Sequence, residues 1–297
     1  MNYKYQLQTF LRKKSNLPKL VVIYWPTAAG KTAMSIDIAQ TLESEIISTD
    51  SRQLFKHMEI WTAKVTTEEM QWVKHHMVDF LDPNEEFSVW EYKYKAEEIM
   101  WELYKKNKIP VLVWWTGLYI DSLIYDFDIP KVIGDKKLRE RLEAEAKEFW
   151  PEYVYQKLVD IDPIYAKEVH PNNTQYVVRA IEVKMLSWIS KADSKAEKKL
   201  KYDVLFLTPY AWDREELYNR INDRVDLMFE QWLEEEIKKL LSMWYDKNSF
   251  GMKSIWYSEY FQYLDWEYCF EEMKDKIKQN TRNYAKRQLT WFRKYQV

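Results

Sequence analysis

A strand, a phosphate-type loop and a helix follow one another near the start of this chain, and that order constrains its fold more than any other feature. Lys19–Tyr24 reads KLVVIY, a short unbroken apolar run of the kind buried on both faces of a sheet. It leads directly into WPTAAGKT at 25–32, and a helical pattern runs from Lys31 to Leu42. The loop matches G-x-x-x-x-G-K-[ST] at every fixed position except the first. The chemistry requires those residue types. Backbone N–H groups at a helix N-terminus cradle phosphate oxygens. Lys31 neutralises the terminal phosphate, and the Thr32 hydroxyl suits Mg²⁺. Such loops occur in nucleotide-binding and ATP-binding proteins. Trp25 holds the first position, where glycine normally permits an unusual backbone and a close approach to phosphate.

The same alternation continues. Glu45–Ser48 is a second short apolar run leading into TDSRQLF, and Ile109–Trp114 (IPVLVW) is a third. Thr66-x-x-Glu69 and Ser88-x-x-Glu91 fit capping boxes, and Asp213-x-x-Glu216 resembles one. Tyr202–Thr208 (YDVLFLT) returns to a strand pattern. These signals predict an α/β fold: a P-loop-containing parallel sheet flanked by helices, with an all-helical inserted domain. The divisions are 18–126 for the first part of the core, 127–199 for a charged, lysine-rich helical insertion, and 200–297 for the rest of the core with a basic C-terminal helix. Asp162-Pro163 starts a helix within the insertion.

Composition narrows the functional classes. Forty-five basic and 47 acidic residues leave a net charge of −2, so any affinity for polyanions must come from a local surface. One such surface is the last thirty residues, which include Lys274, Lys278, Arg282, Lys286, Arg287 and Arg293. One cysteine, Cys269, excludes an intramolecular disulfide framework. His75 and His76 follow a turn and enter a strand, so they read as structural. Neither an export signal nor a membrane-length apolar run is legible, and a cytoplasmic location without membrane partners is expected. Glycine is the anomaly. The chain has 4 glycines and 15 tryptophans, where ordinary usage predicts about 20 glycines.

In this order the motifs resemble those of the bacterial tRNA dimethylallyltransferases, and the likeness runs from Lys19 to Val297. The family's GPTASGK[ST] is WPTAAGKT here, and its D-S-x-Q-x-[YF] is Asp50-Ser-Arg-Gln-Leu-Phe55. GTAKP is Trp61-Thr-Ala-Lys-Val65, and GGTGLYI is Trp114-Trp-Thr-Gly-Leu-Tyr-Ile120. HPND with RALEV is His170-Pro-Asn-Asn173 with Arg179-Ala-Ile-Glu-Val183. The terminal block is Thr281-Arg-Asn-Tyr-Ala-Lys-Arg-Gln-Leu-Thr-Trp-Phe-Arg293. Family glycine coincides with tryptophan at 25, 61, 72, 114, 115, 188, 232, 244, 256 and 266. Tyr176 stands where the family has arginine.

The resemblance implies a monomeric enzyme that moves a dimethylallyl group from dimethylallyl diphosphate to the N6 amine of an adenine beside the anticodon of tRNA, with Mg²⁺. Trp25, Pro26, Thr27, Ala28, Ala29, Gly30, Lys31 and Thr32 would then hold the diphosphate. Lys31, Thr32 (also the Mg²⁺ ligand), Asp50 as general base and Thr116 would be catalytic. Asp50, Ser51, Arg52, Gln53, Thr116, Arg139, Gln175 and Arg179 would meet the anticodon stem-loop. A base leaves its stack to reach such a site, and RNA of this kind is gripped through shape and phosphates. The alternatives are a prenyltransferase acting on free adenine nucleotides, a small-molecule kinase, and a catalytically dead RNA-binding relative. The last requires the tryptophans to be genuine. A lineage that decodes UGA as glycine would show this pattern when read with a table that assigns UGA to tryptophan.

Overall fold

The computed structural model describes residues 3–26, 31–113, 116–125, 134–192, 199–209, 213–231 and 233–295. Thr27, Ala28, Ala29 and Gly30 of the phosphate-type loop, and Trp114, Trp115 and Trp232, lie outside the described residues, as does the expected domain boundary near 127. The chain divides into two compact units, residues 1–124 with 201–297, and 125–200.

The first unit opens on helix α1 (Tyr3–Arg12), followed by β1 (Lys19–Ile23), α2 (Lys31–Thr41), β2 (Ile46–Ser48), α3 (Thr67–Met70), β3 (His75–His76), α4 (Val89–Lys105), β4 (Val111–Val113) and α5 (Gly117–Ile124). The second unit holds α6 (Lys136–Glu148), α7 (Pro151–Ile161), α8 (Pro163–Ala166) and α9 (Thr174–Ser187). The chain then returns to the first unit with β5 (Asp203–Leu207), α10 (Arg214–Glu230), α11 (Leu233–Ser242), α12 (Ile255–Leu264) and α13 (Phe270–Phe292). The strands form one sheet in the order β3-β2-β4-β1-β5, with every pairing parallel. Parallel neighbours need crossover connections, and helices supply them.

Burial explains the strand patterns. Leu20, Val21, Val22 and Ile23 are buried, and so are Val111, Leu112 and Val113. Register sets Ile23 beside Val113 and Val113 beside Ser48. The chain therefore leaves β1, β4 and β2 along a single edge, the carboxyl end where open α/β sheets hold ligands. Both capping boxes form, with Thr66 and Glu69 capping α3 and Ser88 and Glu91 capping α4. Asp213 caps α10 through the Glu215 N–H, without the return bond from Glu216 that a full box requires. Helix α1 is an addition to the sequence reading: Leu7 and Phe10, three residues apart, bury themselves in the core beside Val21 and Ile23. In the second unit every described regular element is a helix, and Leu142, Val154, Leu158, Val177 and Ile181 lie in its core. No helix among the described residues is long and apolar enough to cross a membrane.

The backbone makes the tryptophans conspicuous. Among the described residues, twelve non-glycine residues have positive φ, and five of them are Trp72, Trp150, Trp188, Trp244 and Trp266, at 61–74°. All five indoles are exposed. Trp188 ends α9 in the left-handed conformation, and Trp266 follows the residue that ends α12. Glycine is the usual occupant there because a Cβ is costly at positive φ. Left-handed backbone costs an L-residue about 1–2 kcal/mol. Four of the five positions are among the family-glycine coincidences, and Trp150 joins them on backbone geometry alone.

Candidate active site

At the carboxyl edge of the sheet lies a cavity of about 340 Å³, within the first unit. Its wall carries one carboxylate, Asp50, and five basic side chains, Lys31, Arg52, Arg224, Lys253 and Arg287. Such an excess of positive charge suits an anionic ligand.

Lys31 opens α2 and is almost wholly buried, with its Nζ donating to the Pro26 carbonyl (2.8 Å). Burial, and then the neighbouring Arg224, pushes its ammonium down to about 7, while Asp50 opposes the shift. Thr32 follows on the same turn, half-buried and outside the cavity wall. Asp50 leaves the end of β2. Its Oδ1 accepts the Arg52 N–H (2.8 Å), and its own N–H donates to Ser48 Oγ (3.3 Å). Burial raises its carboxyl above the ordinary value, although the Arg52 N–H, Lys31 and the Arg52 charge all act against the shift. Desolvation is therefore the dominant effect on both groups.

Thr116 ties two site loops together. Its N–H donates to the Thr49 carbonyl (2.6 Å), and its Oγ1 accepts the Ser51 N–H (3.0 Å). It stands behind Asp50 and Ser51 and does not line the cavity. Ser51 and Arg52 do, with the Arg52 guanidinium donating to the Lys253 carbonyl (3.3 Å). Gln53 corrects the sequence reading. It is fully buried, with Nε2 donating to the Thr62 (3.3 Å) and Ala63 (3.1 Å) carbonyls and Oε1 accepting from Ser48 Oγ (3.2 Å). A side chain with no exposed surface braces the loop and has no face for RNA.

Trp25 is buried beside Tyr24, and its indole N–H has no partner. Among the described residues, the indoles at the cavity are those of Trp61 and Trp256. Their ring centroids lie 3.9 Å apart at 52°, tighter than aromatic pairs prefer. The buried Trp61 N–H is also unpaired. Unpaired buried donors are costly, so Trp25 and Trp61 fit their surroundings badly, as does the crowded Trp256.

Residues from α10, α12 and α13 complete the wall; Tyr284 belongs to the terminal block, whereas Arg224 carried no motif signal. Arg224 precedes Val225, one of the buried residues Leu217, Ile221, Val225 and Met228 that form the apolar stripe of α10. A cation at the border of such a stripe is a signal that periodicity analysis can find. His75 and His76 lie in β3, and the His76 Nε2 meets Glu45 Oε2 at 2.6 Å. In the second unit Gln175 is exposed, while Arg139 and Arg179 both pair with the buried Glu182. Among the described residues, no group of three or more His, Cys, Asp and Glu side chains could hold a metal ion.

Comparison with known proteins assigns the chain. The IPP transferase family model matches residues 53–295. A tRNA dimethylallyltransferase of Alkaliphilus oremlandii is 48% identical, with 94% of this chain and 89% of the relative covered. One of Acetivibrio thermocellus is 44% identical, with 94% and 90% covered. Among solved structures, the tRNA isopentenylpyrophosphate transferase of Bacillus halodurans is 40% identical, covers 93% of this chain and 86% of its own, and has a TM-score of 0.66. A eukaryotic dimethylallyltransferase acting on tRNA is 30% identical, covers 93% and 70%, and has a TM-score of 0.79. With a parallel sheet, a cation-lined cavity at its carboxyl edge and these relatives in agreement, the chain belongs to the IPP transferase family.

Proposed function

We propose that the cavity performs prenyl transfer to tRNA as follows. The chain is a tRNA dimethylallyltransferase, and the adenine N6 attacks C1 of dimethylallyl diphosphate. The C1–O bond breaks, the N–C1 bond forms, and pyrophosphate leaves with the bonding electron pair. The proton on N6 passes to the Asp50 carboxylate. Five cationic side chains around one carboxylate support this reading, because negative charge grows on the leaving group in the transition state and fixed cations stabilise it there. Lys31 and Arg224 would face the diphosphate, and backbone N–H groups of Thr27 to Thr32 would cradle it. Asp50, its carboxyl raised by burial and beside those cations, is placed to take the proton. Thr116 holds the Asp50 loop, and Ser51 and Arg52 meet the flipped base and its neighbours. Arg139, Gln175 and Arg179 grip the stem-loop.

The Thr32 hydroxyl would hold a Mg²⁺ ion completed by substrate phosphates and water. When bound, it would neutralise charge on the diphosphate. The test offers the chain dimethylallyl diphosphate with either its anticodon stem-loop or AMP. Transfer to the stem-loop alone is expected, and preferential transfer to AMP would overturn the tRNA assignment.

We infer further that Trp72, Trp150, Trp188, Trp244 and Trp266, with Trp25, Trp61 and Trp256, are glycine in the living protein through UGA decoding. Left-handed backbone supports this for the first five, and orphaned or crowded indoles support it for the other three. Peptide masses of the native protein test it: glycine at these positions is expected, and tryptophan at 72 and 266 would sink the idea.

A further inference from the structure

Glu182 is fully buried, yet it carries a carboxylate. Such a group is tolerated when donors meet its lone pairs, and here three do. Oε1 accepts the Asp135 N–H (2.7 Å) and the Arg139 Nε–H (2.7 Å), and Oε2 accepts from the Arg179 guanidinium. Asp135 is the N-cap of α6 and Arg139 lies one turn on, whereas Arg179 and Glu182 share α9. One carboxylate thus joins two helices and sets the direction of two guanidinium groups, both only partly exposed. A guanidinium carries five N–H donors in one plane, so each arginine docked on the carboxylate still presents donors on its outer edge. Burial lowers the Lys191 ammonium, with the Arg179 charge acting in the same direction and Glu182 against it.

Gly134 makes the arrangement possible. A Cβ there would overlap the Arg139 guanidinium and come within 3.2 Å of Glu182 Oε1. The missing side chain lets Arg139 lie across the backbone and reach the carboxylate.

We propose that Glu182 is a positioning residue for RNA. It holds Arg139 and Arg179 as one preorganised pair whose outer edges grip a phosphodiester, and Gly134 is the gap the pair requires. Two guanidiniums held at a fixed spacing match phosphate oxygens better than two independent side chains do. This rests on the reading of the chain as acting on tRNA.

The experiment measures binding of an anticodon stem-loop RNA to the full chain over a series of salt concentrations. The variants are Glu182→Gln, Gly134→Ala and the double variant Arg139→Ala/Arg179→Ala, each with helix content monitored by circular dichroism. The double variant should bind at least tenfold more weakly, and its plot of log affinity against log salt should be shallower by about 0.7 for each phosphate no longer neutralised. Gly134→Ala leaves every charge in place, yet it should reproduce most of that loss with helix content intact. Glu182→Gln should do the same wherever it folds. A merely structural role would lower the melting temperature without changing the salt slope. Parental affinity and slope in Gly134→Ala, with the double variant impaired, would overturn the positioning role and leave the tRNA reading standing. An unimpaired double variant would overturn the arginine–phosphate pairing as well. Prenyl transfer to the same RNA, measured alongside, separates either result from a failure of the functional reading.

Discussion

Asp50 and Glu182 are two carboxylates among arginines, and they are accommodated in different ways. Glu182 has donors on both oxygens, two of them guanidiniums, and no exposed surface. Asp50 takes the Arg52 N–H on Oδ1 and a bond from the Gln53 backbone, borders a cavity, and is driven upward by burial despite these donors and the cations nearby. Burial alone therefore does not mark a reactive carboxylate. A carboxylate met by donors on both oxygens is scaffold, because its lone pairs are already taken. An undermatched one carries a desolvation penalty, and taking up a proton relieves it.

The comparison predicts opposite losses. Asp50→Asn should lower the single-turnover rate by about 10²–10⁴ with the fold intact. Its raised carboxyl binds more protons folded than unfolded, so it lowers stability as pH rises between its ordinary and its raised values. At neutral pH the variant should thus melt no lower than the parent. A melting temperature that falls with the rate would return Asp50 to the scaffold.

Lys31 sharpens the cavity side of the comparison. Its ammonium is held near 7 in the free protein, and bound phosphate should restore the ordinary value. Pyrophosphate affinity, followed by calorimetry, should then fall by about tenfold per pH unit above 7 through uptake of one proton. Lys31→Met should bind weakly and flatten that dependence; an unchanged slope would assign the proton elsewhere.

Glu182→Gln should cost about 1–3 kcal/mol in urea unfolding, the penalty for leaving buried donors poorly matched. A saturated transfer rate close to that of the parent should accompany it. Thr116→Val should show the smallest effect. Losing the bond to the Ser51 N–H should cost about 1 kcal/mol, with a modest fall in rate as the Asp50 loop loosens. A rate loss equal to that of Asp50→Asn would make Thr116 a catalytic group in its own right.

Much of this was legible in the sequence, for physical reasons. Short apolar runs marked β1, β2, β4 and β5 because a parallel sheet buries both faces, and Thr66 and Ser88 marked helix starts because capping has a fixed spacing. Lys31 and Asp50 were legible as site residues because each follows a buried strand. Helix α1 was not, since two buried side chains in a basic segment make a weak pattern. Gln53 misled because a polar residue inside a motif looks the same whether it faces a ligand or braces a loop. Arg224 comes from a helix far along the chain, and only the fold brings it beside Lys31. Trp150 became conspicuous only through its backbone, as no motif covers it.

The most direct test of the account is the pH dependence of the single-turnover rate with saturating stem-loop and dimethylallyl diphosphate. If Asp50 is the base, the rate must fall as pH drops through its pKa, on an acid limb above the ordinary carboxylate range. That limb should vanish in Asp50→Asn, leaving a low rate that does not vary with pH in that range. An Asp50→Asn profile with the same limb and the parental rate would contradict the assignment.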